Sequence, residues 1–99
     1  MIVVTVKYSV KPGTRDIVME GTRKYMAHTW TEKGCICYDH LPCTVNDTDV
    51  IVLEKWETKE DLIAHTEAPE FAEFRAFRSQ YNGDGPFTFE VYEAVEVKL

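Results

Sequence analysis

Hydrophobic periodicity predicts an α+β fold: a ferredoxin-like split βαβ unit, with one four-stranded antiparallel sheet carrying helices on one face. Three observations lead there. Period-2 and period-3.6 patterns follow one another as strand, helix, strand, strand, helix, strand (βαββαβ). Turn or capping residues separate the elements. One such unit accounts for all 99 residues, which suits a single domain over 1–99.

Ile2 to Val10 alternates, with Ile2, Val4, Val6, Tyr8 and Val10 on one face and Val3, Thr5, Lys7 and Ser9 on the other. Lys11-Pro12-Gly13 is turn chemistry, and Thr14 is the expected N-cap of a helix from Arg15 to about Lys33. Gly34 then serves as its C′ residue. Cys35 to Cys43 reads as a strand with Ile36, Tyr38 and His40 opposing Cys35, Cys37, Asp39 and Leu41. A polar turn over 45–49 joins it as a hairpin to a strand from Val50 to Glu57. Thr58, with Asp61 three residues on, is a capping-box-like start to the second helix. Ala68-Pro69 interrupts that helix, because the residue before proline is pushed out of the helical region; a second piece follows from Glu70 to Tyr81. Asn82 to Pro86 turns the chain into a last strand from Phe87 to Val97.

Composition excludes several classes. A chain with 44% hydrophobic and 28% charged residues is an ordinary globular one, and a net charge of -6 with scattered basic residues disfavours nucleic acid. No apolar run approaches the ~20 residues of a membrane span, and no signal-peptide pattern opens the chain, so a cytoplasmic protein is expected. Three cysteines do not make a disulfide framework. Cys35, Cys37, His40 and Cys43 are zinc-ligand types, yet at about 3.3 Å per residue an extended Cys35 to Cys43 spans roughly 26 Å, against about 2.3 Å for a zinc–sulfur bond. No metal and no cofactor is expected.

Both faces of the sheet are apolar. Val3, Ile51, Leu53, Tyr92 and Ala94 cannot lie under the helices that cover Val4, Val52, Trp56 and Val91. With no chain left to cover the second face, a second copy of the sheet is the simplest partner, giving a homodimer through sheet faces.

Chemistry has to come from side chains between helices and sheet. Glu54 and Trp56 share a strand face, and Leu62 and His65 share a helix face, so indole and imidazole are expected to meet. Glu54 is either paired with Arg75 or Arg78 or is a proton acceptor with a raised pKa; the ion pair is the simpler expectation. An imidazole titrates near ~6.5 and makes His65 a base, or else a histidine bonded to backbone. His28 and His40 match no motif and stay as surface or supporting side chains.

Glu54-x-Trp56, His65-x-x-x-Pro69, Phe71 and Phe74, with Gly34-Cys35-x-x-Tyr38 and Lys11-Pro12-Gly13, resemble the pattern of the antibiotic biosynthesis monooxygenase family. The likeness runs from the first strand to Phe74 and more weakly to the end. It implies a dimeric α+β barrel that oxidises a quinol, phenol or anthrone-like ring with O2 and no cofactor. His65 would be base or proton shuttle, Trp56 wall and donor, Tyr38 a phenolic donor and Arg75 a clamp on an anionic oxygen; without the likeness, Trp56 and Tyr38 read as core-filling side chains. A cofactor-free isomerase and a non-catalytic small-molecule-binding dimer are the alternatives. Haem-degrading relatives use a helical tryptophan and an axial histidine; by spacing this chain has His65 and Arg75 near those positions, so the likeness does not extend to haem.

Overall fold

A computed structural model describes residues 1–99. Its elements are β1 (Ile2–Ser9), α1 (Arg15–Thr29), β2 (Cys35–Pro42), β3 (Asp49–Trp56), α2 (Lys59–Glu67), α3 (Pro69–Ser79) and β4 (Thr88–Glu93). The sheet order is β2-β3-β1-β4 with every pair antiparallel, which is the expected ferredoxin-like α+β architecture. Register places Val4 between Glu54 and Val91, and Val6 between Val52 and Phe89. No helix is long and apolar enough to cross a membrane.

The core lies between the sheet and its helices. Ile2, Val4, Val6 and Tyr8 of β1 meet Val50, Val52 and Trp56 of β3, Tyr38 of β2, Val18 of α1 and Leu62 of α2. Fully burying a side chain of this kind stabilises the fold by about 1.5–3 kcal/mol. Above this layer, Tyr25 of α1 packs on Phe74 and Phe77 of α3 with ring centroids 5.2 and 6.3 Å apart. Gly21 makes that approach possible, because a Cβ there would overlap the Phe77 ring.

Several boundaries differ from the sequence reading, each for a local reason. α1 stops at Thr29, not Lys33, because Thr31 and Glu32 donate to His28 and Thr29 in tight i→i+3 turns and the Trp30 indole is held by the Tyr38 carbonyl at 2.8 Å. Gly34 takes positive φ, 79°, in the turn before β2, not as the cap of the helix. Thr14 is the N-cap residue, but its hydroxyl turns back to the Lys11 carbonyl. At Thr58 the side chain does accept from the Asp61 N–H, at 3.1 Å. Ala68 is extended (ψ 145°), so the helix breaks there as expected. A bulge between Cys35 and Cys37 sets Cys35 opposite Trp56 on the helix side and leaves Ile36 exposed. β4 ends at Glu93, not Val97: Ala94 donates to Met1, and β1 extends no further to pair with.

Candidate active site

A cavity of about 250 Å³ opens between the sheet and α3. Each sheet strand supplies part of its floor: Val6 from β1, Tyr38 and His40 from β2, Val52 and Glu54 from β3, and Phe89 from β4. α3 supplies the roof with Phe71, Phe74, Arg75 and Arg78, and Phe87 closes one side. Strand alternation accounts for the floor, since all these positions face the helices. Helical spacing accounts for the roof, where 71, 74, 75 and 78 form one stripe.

Of the residues singled out by sequence, Tyr38, Glu54 and Arg75 stand in this wall. Trp56 and His65 do meet, with ring centroids 4.9 Å apart, but behind the wall. Trp56 is wholly buried and donates its indole N–H to Glu54 Oε1 at 3.0 Å. His65 Nδ1 lies 2.6 Å from Glu32 Oε1, and its ring also touches Tyr38 and Phe71. Glu54 is therefore the carboxyl presented to the cavity, backed by Trp56 and His65. Burial raises its pKa above the ordinary carboxylate value, while the Trp56 hydrogen bond and nearby His65 draw it partway back. The expected ion pair with Arg75 or Arg78 does not form; neither arginine has a carboxylate within bridging distance.

Arg75 is exposed at the mouth, near Phe71. Arg78 reaches deeper, its guanidinium 4.6 Å from the Tyr8 ring and 5.6 Å from that of Phe74. Burial lowers its pKa. An unpaired guanidinium stacked among aromatic rings beside a carboxyl held toward its neutral form suits a planar aromatic ligand whose oxygen takes on negative charge.

Sequence reasoning left His40 as a surface or supporting side chain. It is buried, with Nδ1 3.1 Å from the Tyr8 hydroxyl and Nε2 3.1 Å from the Tyr38 hydroxyl. Burial, with Arg78 and His65 acting in the same direction, holds its pKa down to about 3, so the ring is neutral at physiological pH. Both phenols are pushed above their ordinary value, chiefly by burial, and stay protonated. The available signal was position: Tyr8 and His40 both fall on the helix-facing side of their strands.

Fold and site together define a small α+β protein with a largely aromatic and aliphatic cavity between sheet and helices, whose wall also carries a carboxyl and two guanidinium groups. Residues 1–76 match the model of the antibiotic biosynthesis monooxygenase family, and the chain belongs to that family. No curated protein sequence matches it significantly. Among solved structures, a Nitrosomonas europaea protein named for the same family is similar over 95% of this chain and 89% of its own, at 23% identity and a TM-score of 0.87. Another antibiotic biosynthesis monooxygenase structure matches over 97% and 100%, at 22% identity and a TM-score of 0.85. A conserved protein from Methanosarcina mazei Go1 matches over 92% and 89%, at 26% identity and a TM-score of 0.84.

Proposed function

We propose that this protein is a cofactor-independent monooxygenase that oxidises a hydroquinone, phenol or anthrone-like ring with O2. The observation that carries this reading is the cavity wall itself, where a buried, hydrogen-bonded carboxyl and two carboxylate-free guanidinium groups surround an aromatic-lined space of about 250 Å³. Glu54 takes a proton from the substrate, with Trp56 holding the carboxylate as charge develops. His65, seated on Trp56 and bonded to Glu32, favours the ionised form of Glu54. Arg75 and Arg78 stabilise the ring oxyanion, and Tyr38 bonds a ring oxygen.

The resulting anion is electron-rich enough to pass one electron to O2 directly. Ring radical and superoxide combine into a peroxide on carbon; after protonation the O–O bond breaks and water leaves. One oxygen atom stays on the ring as a new carbonyl or hydroxyl, the other departs in water, and the ring has supplied all the electrons. Partial burial favours each charged step, because the Arg78 charge acts at a lower dielectric there than in water.

The uncovered sheet face supports a homodimer in the same proposal. Val3, Ile51 and Leu53 are only half buried there, and Leu41 and Tyr92 are exposed. All six β4 residues are exposed, as are Val95, Val97 and Leu99 after it. Light scattering at micromolar concentration is expected to give twice the chain mass of 11.4 kDa; a monomer mass removes the dimer.

The reaction is tested by oxygen uptake over a panel of hydroquinones and anthrones, with Glu54→Gln beside wild type. Uptake above autoxidation that collapses in the variant is the expected result. Substrate isomerised without oxygen consumption replaces the monooxygenase by an isomerase in the same cavity.

A further inference from the structure

Tyr8, His40 and Tyr38 form a row of which the steps above use only Tyr38, as a donor to a ring oxygen. Each nitrogen of the His40 ring faces a phenol at 3.1 Å. A neutral imidazole has one proton for its two nitrogens. One phenol must therefore donate to the bare nitrogen, while the other accepts from the N–H and keeps its own proton free. Tyr38 and His40 stand in the wall of the main cavity. Tyr8 borders a second cleft of about 180 Å³, whose wall includes Arg78, Asn82 and Phe87. The row thus connects one cleft to the other through buried side chains.

We propose that Tyr38, His40 and Tyr8 are a proton relay, in which a tautomer switch of His40 carries a proton between a ligand oxygen in the main cavity and the second cleft. The ligand class is an aromatic hydroxyl that cycles between O–H and C=O, as a hydroquinone and its quinone do; this rests on the quinol reading above. Glu54 serves one ring oxygen and the relay serves the other.

In the outward passage the ligand hydroxyl gives its proton to the Tyr38 oxygen, and the Tyr38 proton moves to His40 Nε2. The Nδ1 proton moves to the Tyr8 oxygen, and the Tyr8 proton leaves to water in the second cleft. Four O–H or N–H bonds break and four form, the ligand oxygen keeps the electron pair, and the imidazole ends in its other tautomer. Tyr38 is left donating to the ligand oxygen, as a carbonyl product requires. The reverse passage returns a proton when the peroxide needs one and resets the ring. The groups facing His40 keep this neutral: burial, Arg78 from α3 and His65 from α2 all oppose a second proton on the ring.

The test is the protonation of His40 by nitrogen NMR on histidine-labelled protein without oxygen, assigned by loss of the signals in His40→Gln. Spectra are recorded free, with a hydroquinone and with its quinone, between about pH 5 and about pH 8. The expected result is a singly protonated ring throughout, with the proton on Nδ1 in the hydroquinone complex and on Nε2 in the quinone complex. In Tyr8→Phe the Nδ1–H form has no acceptor, so the proton is expected to stay on Nε2 in both complexes. The same tautomer in both wild-type complexes, or a doubly protonated ring, overturns the relay. Binding of neither ligand removes the quinol reading and the relay with it, whereas a tautomer switch without oxygen uptake keeps the relay and removes only the oxygenase.

Discussion

Trp56→Phe keeps an aromatic ring in the core and removes the donor that holds Glu54. The indole N–H reaches Oε1 at 3.0 Å, and both side chains are buried. A hydrogen bond to a charged group contributes about 1.5–3 kcal/mol and one between neutral groups about 0.5–1.5 kcal/mol. The loss on substitution is therefore about 1 kcal/mol larger when Glu54 is ionised than when it is protonated, while the packing change is the same at every pH. Burial raises the folded carboxyl above its unfolded value. Its contribution to stability is thus fully present below the unfolded pKa and is lost as pH rises through the folded one. The indole offsets part of that loss, so the variant must lose more. Urea unfolding of both proteins from about pH 4 to about pH 9 measures this. The gap between them is expected to widen by about 1 kcal/mol with rising pH, and the acidic limb of the uptake profile to move to higher pH. A gap that stays flat refutes the argument that the indole stabilises the carboxylate charge.

Phe74 is buried and packs on Tyr25 and His40 at 5.2 and 5.3 Å, so Phe74→Ala is expected to cost about 3–5 kcal/mol in urea unfolding. A loss below about 1 kcal/mol would show that α3 is not anchored through this ring. Arg78→Met is expected to hold or raise the unfolding midpoint, because a guanidinium without a carboxylate partner leaves the cavity wall, while tryptophan-fluorescence titration shows phenolate binding weakened by about tenfold or more. Equal binding would mean that the arginine does not face the ligand. Gly34→Ala places a Cβ at positive φ against the Asp61 carboxylate and is expected to lower stability by about 1–2 kcal/mol; an unchanged melting temperature would contradict that backbone geometry.

The fold was legible because its signals are local. Alternation from Ile2 onward, the Thr58 cap and the Ala68-Pro69 break each report on a few neighbouring residues, and each recurs in the structure. The errors fall where a distant partner decides. Residues 94–97 continue the alternation of β4, but strand pairing needs a neighbour, and β1 begins at Ile2. The end of α1 is set by Trp30 reaching the Tyr38 carbonyl and Glu32 reaching His65, neither of which helical periodicity carries. The bulge at Cys35 follows the same rule, since an extra residue in one strand shows only against its partner.

The site was half legible for a related reason. Sharing a face told us that Trp56 and His65 meet, and they do. It did not tell us that Glu54, on the same strand face, takes the place at the cavity while the larger indole fills the core beneath. The Tyr8–His40 contact lay further out of reach, because the two residues are 32 apart in sequence and on strands that are not neighbours. β3 runs between them, and Val50 opposite Tyr8 and Val52 opposite His40 are both short. With strands about 4.8 Å apart, a tyrosine and an imidazole can lean across a valine pair and hydrogen-bond above it. A buried histidine on a helix-facing strand position, with a tyrosine two residues before it and another two strands away across small side chains, is thus a pattern that sequence and sheet order together contain and that neither contains alone.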